Sequence, residues 1–279
     1  SEMSRSHKHL ALPLSLLRIV WLLRLCEAFF QVSLAELAIR RSMVRIALIS
    51  TSATTSAGPE GVHEGTGAWL EEIAAPYYIF RGKGWDVDLI SISGGEIPID
   101  GASLQGDAVT DDVKRWLKDP TAKVLSTHSI GLDEVAPTPS EFVESYDAIY
   151  MSGGHGACTD YVTSGALKTC IEAMYAAGKI VAADCHGPIC LAVCNKADDT
   201  PLVAGHEVTG FTDSEEAAVG LTGKVPFLIE AKFKEQGANF HGAADWQSNV
   251  VVSENLITGQ NPGSSTACAN AVVEKLTAA

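Results

Sequence analysis

No disulfide framework is written into this chain. Its seven cysteines (Cys26, Cys158, Cys170, Cys185, Cys190, Cys194 and Cys268) are odd in number, irregularly spaced and without a CxxC pair. That argues for a reducing compartment and against a zinc ribbon or a thioredoxin-type site. An excess of positive charge is missing too, since 20 Lys and Arg stand against 34 Asp and Glu, for a formal net charge of -14. Nucleic acid and anionic membrane are poor partners for such a surface, because both repel it. A small neutral substrate is compatible with it. The longest apolar stretch, Leu10 to Ile39, is broken by Arg18, Arg24, Glu27 and Glu36, so it does not read as a spanning helix. Repeats and low-complexity tracts are absent.

The first 42 residues carry six basic residues against three acidic ones, opposite to the balance of the whole. They contain no clean small-residue cleavage site, and their glutamates oppose a transit-peptide reading that the arginines favour. Met43 directly precedes the first regular strand. Residues 1–42 therefore read as a leader or extension outside the fold, and residues 43–279 as one domain.

From Val44 the pattern alternates. Apolar runs at 44–50, 85–92, 146–151, 179–184 and 208–211 suit strands, and two short runs at 250–254 and 256–258 suit a closing pair. Helical patterns fall at 67–83 (with Pro76 inside), 164–177, 185–194, 214–220, 227–236 and 264–276. The segment 51–66 reads as a polar loop. The stretch 95–145 reads as a small inserted region with a helix at 110–118. This order predicts an α/β fold, a mostly parallel sheet with helices on both faces. In such sheets ligands bind at the carboxyl ends of the strands. Gly153–Gly156, Cys185–Pro188 and Thr209–Glu216 all follow predicted strands.

Cys185 is the candidate nucleophile. A free thiol, of pKa ~8.5, is mostly protonated at neutral pH, and a helix start with its unpaired N–H groups favours the thiolate. Asp184 before it and Gly187-Pro188 after it fit a sharp strand-to-helix turn. His186 can exchange protons near neutrality and needs an orienting carboxylate, for which Asp213, Glu215 and Glu216 are the candidates. Gly153-Gly154-His155-Gly156 offers backbone donors to an oxyanion, and no Lys-Ser/Thr pair follows it to make a P-loop. Glu71 reads as part of a solvated helix face. Glu72 can face inward, where desolvation raises a carboxyl pKa and suits it to acid–base work. Cys190 and Cys194, at helical spacing, read as packing residues.

Glu72, SGGHG (152–156), AADCHGP (182–188), TGFTDSEE (209–216) and TGQNP (258–262) occur together in this order. In this the chain resembles the ThiJ/PfpI superfamily, and within it the heat-shock, glyoxalase III-like branch, from about Val44 to Leu276. The resemblance implies a flavodoxin-like, class I glutamine amidotransferase-like fold for residues 43–279. It implies Cys185 as nucleophile with His186 beside it, Glu72 touching the thiolate, and Glu216 as the acidic partner of His186. SEE here replaces the VGE-like tripeptide of some relatives, which leaves Glu215 and Asp213 open. Gly154 and His186 backbone N–H groups would form the oxyanion site, with His155 and Trp246 on the substrate side.

The implied activity is that of a lyase, the glutathione-independent conversion of the 2-oxoaldehyde methylglyoxal to D-lactate (glyoxalase III, D-lactate dehydratase). It needs neither metal nor cofactor. A homodimer is open, and so is the compartment: cytoplasmic, also nuclear, or organellar if residues 1–42 act as a transit peptide. Three alternatives stand beside this reading. One is a peptidase, amidase or protein deglycase on the same fold, although no late His-x-Glu pair supports amidotransfer. Another is a stress chaperone or redox sensor. The third is a metal-binding module using His63, Glu64 and His155.

Overall fold

The structure, a computed structural model, describes residues 43–135 and 137–278. The expectations for residues 1–42 lie outside the described residues. Among the described residues there are eleven strands: β1 Arg45–Ser50, β2 Thr55–Gly58, β3 Gly61–Glu64, β4 Asp86–Ser91, β5 Ile130–Gly131, β6 Ala148–Met151, β7 Ile180–Asp184, β8 Glu207–Val208, β9 Asn239–Phe240, β10 Val250–Ser253 and β11 Leu256–Gly259. Seven of them form one sheet in the order β10-β11-β7-β6-β1-β4-β5, parallel throughout except for the antiparallel edge pair β10–β11.

Central strands of a parallel sheet are covered on both faces, which is why β1 is an almost unbroken apolar run. Its alternation divides the core. Ala47 and Ile49 enter one hydrophobic cluster, Ile46 and Leu48 the other. The helices Leu70–Gly82 and Ser265–Thr277 pack together over the second cluster. The helices Pro139–Ser145, Gly165–Ala176 and Ile229–Glu235 contribute to the first. This is the expected α/β, flavodoxin-like arrangement. Because β1, β6, β7 and β11 run in parallel, Thr51, Ser152, Cys185 and Gln260 all leave the sheet at one edge.

Four expectations require correction. The segment 51–66 is not a plain loop: it carries the hairpin β2–β3, whose turn is tied down where Glu60 N–H donates to the Gly223 carbonyl at 2.8 Å. The stretch 95–145 contains the expected helix, Asp111–Trp116, yet it also supplies β5 to the main sheet, so it belongs to the fold. The strand expected over 208–211 shrinks to β8, which pairs with β9 in a separate two-stranded sheet. The segment after Cys185 is a 3-10 helix, Gly187–Val193, and not an α-helix.

Candidate active site

Backbone geometry sets the site before any side chain does. Cys185 sits at φ 56°, in the left-handed region. For a non-glycine residue that conformation costs of order 1–3 kcal/mol and persists only where the surroundings impose it. They do so here: Cys185 N–H donates to the Gly259 carbonyl, and its own carbonyl accepts from Phe211 N–H, each at 3.0 Å. The neighbouring loop must come very close. A Cβ on Gly153 would lie 2.6 Å from His186 N and 2.7 Å from Glu72 Oε2, so only glycine fits there. Gly154, at φ 89°, brings its N–H to the sulfur.

Three side chains form a line behind the cysteine. Cys185 Sγ is 3.3 Å from His186 Nδ1, and His186 Nε2 is 2.8 Å from Glu216 Oε2. The other Glu216 oxygen is 2.9 Å from His155 Nε2. Burial opposes ionisation of Glu216, but the charges and hydrogen bonds of His186 and His155 outweigh it. They hold its carboxyl well below the usual carboxylate range. An ionised carboxylate only accepts, so both imidazole Nε2 atoms donate to it. With Nε2 donating to Glu216, the neutral tautomer of His186 leaves Nδ1 bare toward the thiol. Burial, followed by the charge on His186, lowers the His155 pKa, which keeps that ring neutral.

The sequence left three carboxylates open for this place, and the structure separates them. Glu215 closes a capping box: Thr212 Oγ1 accepts from Glu215 N–H, and Glu215 Oε2 accepts from Thr212 N–H, each at 3.1 Å. Its other oxygen accepts from Asn261 Nδ2 at 2.7 Å and from Trp246 N–H at 2.8 Å, so Glu215 builds the wall of the site. Asp213 lies outward against the start of the helix Ile229–Glu235. Glu216, one residue further along its helix, is the one that reaches His186.

On the opposite side stands Glu72, in the first turn of the helix Leu70–Gly82 and fully buried. Its Oε2 accepts from Gly153 N–H at 2.6 Å, and its carboxyl contacts the Cys185 thiol. Burial, and then the charge of Asp184, raise its pKa well above the ordinary value. Glu71 corrects the sequence reading. It is only 8% exposed and is not a solvated residue. Thr110 Oγ1 donates to it, and burial pushes its pKa up to about 7.

The expected low thiol pKa is corrected as well. Burial pushes the Cys185 thiol up, and the Glu72 and Asp184 carboxyls facing it add to that, while Gly154 N–H opposes it. Cys185 is 3% exposed, yet it lines a cavity of about 530 Å³ open to the surface. Trp69, Glu71, Asp107, Gly154, His155, His186, Phe211, Trp246 and Asn261 line it as well. Trp246, half exposed, sits edge-on to Phe211, which in turn lies 4.2 Å from the His186 ring.

Trp69, Phe211 and Asn261 were not singled out as site residues from sequence, and Glu71 was read as solvated. Phe211 and Asn261 lie inside the TGFTDSEE and TGQNP motifs, and Trp69 and Glu71 stand three residues and one residue before Glu72. His155, His186 and Glu216 place ligand-type atoms within 4.8 Å of one another and are, among the described residues, the cluster suited to a metal ion. His63 approaches His155 edge-on, 5.9 Å between centroids, and Glu64 is not part of the cluster.

A parallel sheet that presents a cysteine at a left-handed strand-to-helix turn, against a glycine loop from the next strand, defines a class of α/β protein with its site at the strand ends. Within that class the chain belongs to the DJ-1/PfpI family, whose model matches residues 64–275. It is 28% identical over 240 residues to glyoxalase 3 of Candida albicans, covering 83% of this chain and 98% of that protein. It is 31% identical over 206 residues to the glutathione-independent glyoxalase HSP31 of Saccharomyces cerevisiae, covering 71% and 84%. The crystal structure of glyoxalase III from Candida albicans superposes with a TM-score of 0.72 at 27% identity, over 83% of this chain and 97% of that one.

Proposed function

We propose that the protein is a glutathione-independent glyoxalase that converts methylglyoxal, or a related small 2-oxoaldehyde, to the 2-hydroxy acid. The observation that carries the reading is Cys185 Sγ at the floor of the cavity, between an imidazole nitrogen 3.3 Å away and the buried Glu72 carboxyl. The cavity lining contributes carboxyls at Glu71 and Asp107 and, among the described residues, no lysine or arginine. Such a lining offers no counter-charge to the carboxylates of glutathione, and it accepts a neutral aldehyde. The glyoxalases named above are relatives over most of the chain, which supports the same reaction.

The chemistry follows from the roles. As Sγ bonds to the aldehyde carbon, His186 Nδ1 takes the thiol proton, and Glu216 stabilises the imidazolium. The carbonyl oxygen becomes an oxyanion, which the Gly154 and His186 backbone N–H groups hold in this reading. The imidazolium gives its proton to that oxyanion. Neutral His186 then takes the proton from the former aldehyde carbon as Glu72 protonates the ketone oxygen. The enediol collapses as His186 protonates the ketone carbon and Glu72 recovers a proton from the hydroxyl on the first carbon. The first carbon is thereby oxidised and the second reduced, with no external electron carrier. Water then cleaves the S–C bond to release lactate and the thiol. Because His186 deprotonates the thiol during attack, a permanently ionised sulfur is not required. A redox-sensing role finds less support, since it calls for an exposed thiol of low pKa.

The test is turnover of methylglyoxal by purified protein without glutathione. Wild type is expected to form lactate, and Cys185→Ala to fall to background, a loss of at least about 10³-fold. Lactate formation by a folded Cys185→Ala protein at the wild-type rate would end this reading.

A further inference from the structure

Asp184 is the residue before Cys185, and the proposed reaction gives it no part. It is fully buried, and neither of its carboxyl oxygens is in a close hydrogen bond, the Ser265 and Tyr150 hydroxyls facing it from longer range and only partly offsetting its burial. Glu72 Oε1 and the Tyr150 hydroxyl are equally buried and equally unpartnered.

Strand alternation explains why these groups gather. Ile180 and Ala182 face the second hydrophobic cluster, so Asp184, two residues on, faces it too. That is the side covered by the helices Leu70–Gly82 and Ser265–Thr277, and Glu72 comes from the first of them. Gly259, opposite Asp184 on β11, leaves the space: a Cβ there would stand 2.9 Å from the Asp184 Cβ. The groups facing Asp184 and Glu72 are Glu71 from the helix of Glu72, Tyr150 from β6, Tyr161 from the segment that follows β6, Ser265 and Cys268 from the closing helix, and Cys185 from the turn. None of them is a cation. Two carboxylates without a counter-charge do not both ionise in such a place.

We propose that Glu72 and Asp184 act as one carboxyl pair that keeps a proton between them, with Asp184 the positioning residue that holds Glu72 in its acid form against Cys185. The inference rests on Glu72 touching the nucleophile, and its readouts do not depend on which substrate is turned over. Burial raises Asp184 to about 7 and lifts Glu72 well above the ordinary carboxyl value, so the two give up their protons in separate steps.

The experiment compares wild type with Asp184→Asn, and with Asp184→Val should the amide not fold, because the apolar side chain leaves no orphaned polar atom. The first readout is the rate of iodoacetamide alkylation of Cys185 against pH. The second is the infrared band of buried protonated carboxyl groups across the same range. Loss of the Asp184 charge is expected to lower the alkylation midpoint by about one pH unit, and to make the Glu72 band vanish at lower pH. Where methylglyoxal is turned over, the alkaline limb of kcat/KM moves down with it while KM stays within about two-fold. An unchanged midpoint together with an unchanged band in a folded variant would overturn the pair. Absence of methylglyoxal turnover in wild type would overturn the proposed reaction and leave the two spectroscopic and alkylation results to decide the pair.

Discussion

The two flanks of Cys185 hold carboxyl groups of nearly equal burial and different charge state. Glu216 is 3% exposed and Glu72 fully buried, yet the first is held ionised and the second neutral. Burial opposes ionisation on both flanks. On the Glu216 side two imidazoles donate to the carboxylate, one to each oxygen. On the Glu72 side a single backbone N–H donates, and the nearest ionisable neighbours are another acid and a thiol. Partners, and not depth, decide which carboxyl carries charge. In the proposed reaction, environments that drive two acids apart in this way anchor His186 on one side and keep a proton donor on the other.

The largest break in that asymmetry is expected at Glu72. Glu72→Gln keeps the acceptor for Gly153 N–H but removes the transferable proton, so kcat is expected to fall about 10²- to 10³-fold with little change in KM. Steady-state kinetics on methylglyoxal measures it, and a variant with at least a tenth of wild-type kcat would show that Glu72 moves no proton. A smaller effect is expected from Glu216→Gln. The amide still accepts from one imidazole, but it no longer stabilises an imidazolium with full charge. A hydrogen bond to a charged group is worth about 1.5–3 kcal/mol, which corresponds to roughly 10- to 100-fold in kcat. Should Glu216→Gln prove more damaging than Glu72→Gln, the order of importance of the two flanks would be reversed.

The two flanks also differed in how far they could be read in advance. The Cys185 turn was legible because strand, nucleophile, glycine and proline are contiguous, and each has a local physical reason to stand where it does. The parallel sheet was legible from the alternation of apolar runs with helical periods. The partner of His186 was not, since Asp213, Glu215 and Glu216 share one short segment. Only the capping box, which occupies Glu215 and turns Glu216 inward, separates them. The hairpin β2–β3 was missed because its fixation comes from Gly223, more than 150 residues away in sequence. Asp184 and Glu71 were passed over for the opposite reason. A lone carboxyl in a strand or helix start is ordinarily solvated, and only the packing of the closing helix and of the segment around Thr110 reveals that these two are not.

Glu71 sharpens the comparison in the smallest way, because it belongs to neither flank and lines the cavity between them. Burial lifts its pKa from 4.5 to about 7, with Thr110 opposing the shift and Asp112 adding to it. A carboxyl raised on folding binds its proton more tightly in the native state. The stability it contributes is therefore complete below about pH 4.5 and is lost as pH rises through about 7. Glu71→Gln stays neutral throughout. Its melting temperature is expected to gain on that of wild type as pH rises from 5 to about 7, with the difference level from there to pH 8.5. In the same interval wild-type Glu71 places a negative charge in the cavity that opposes both the thiolate and the oxyanion. The variant is accordingly expected to be equal to wild type in kcat/KM at pH 6 and a few-fold faster at pH 8. Thermal melts and kinetics at matched pH measure both. Parallel melting curves with an unchanged pH–rate profile would mean that Glu71 ionises like a surface carboxylate, and that the burial of its side chain is not felt by its charge.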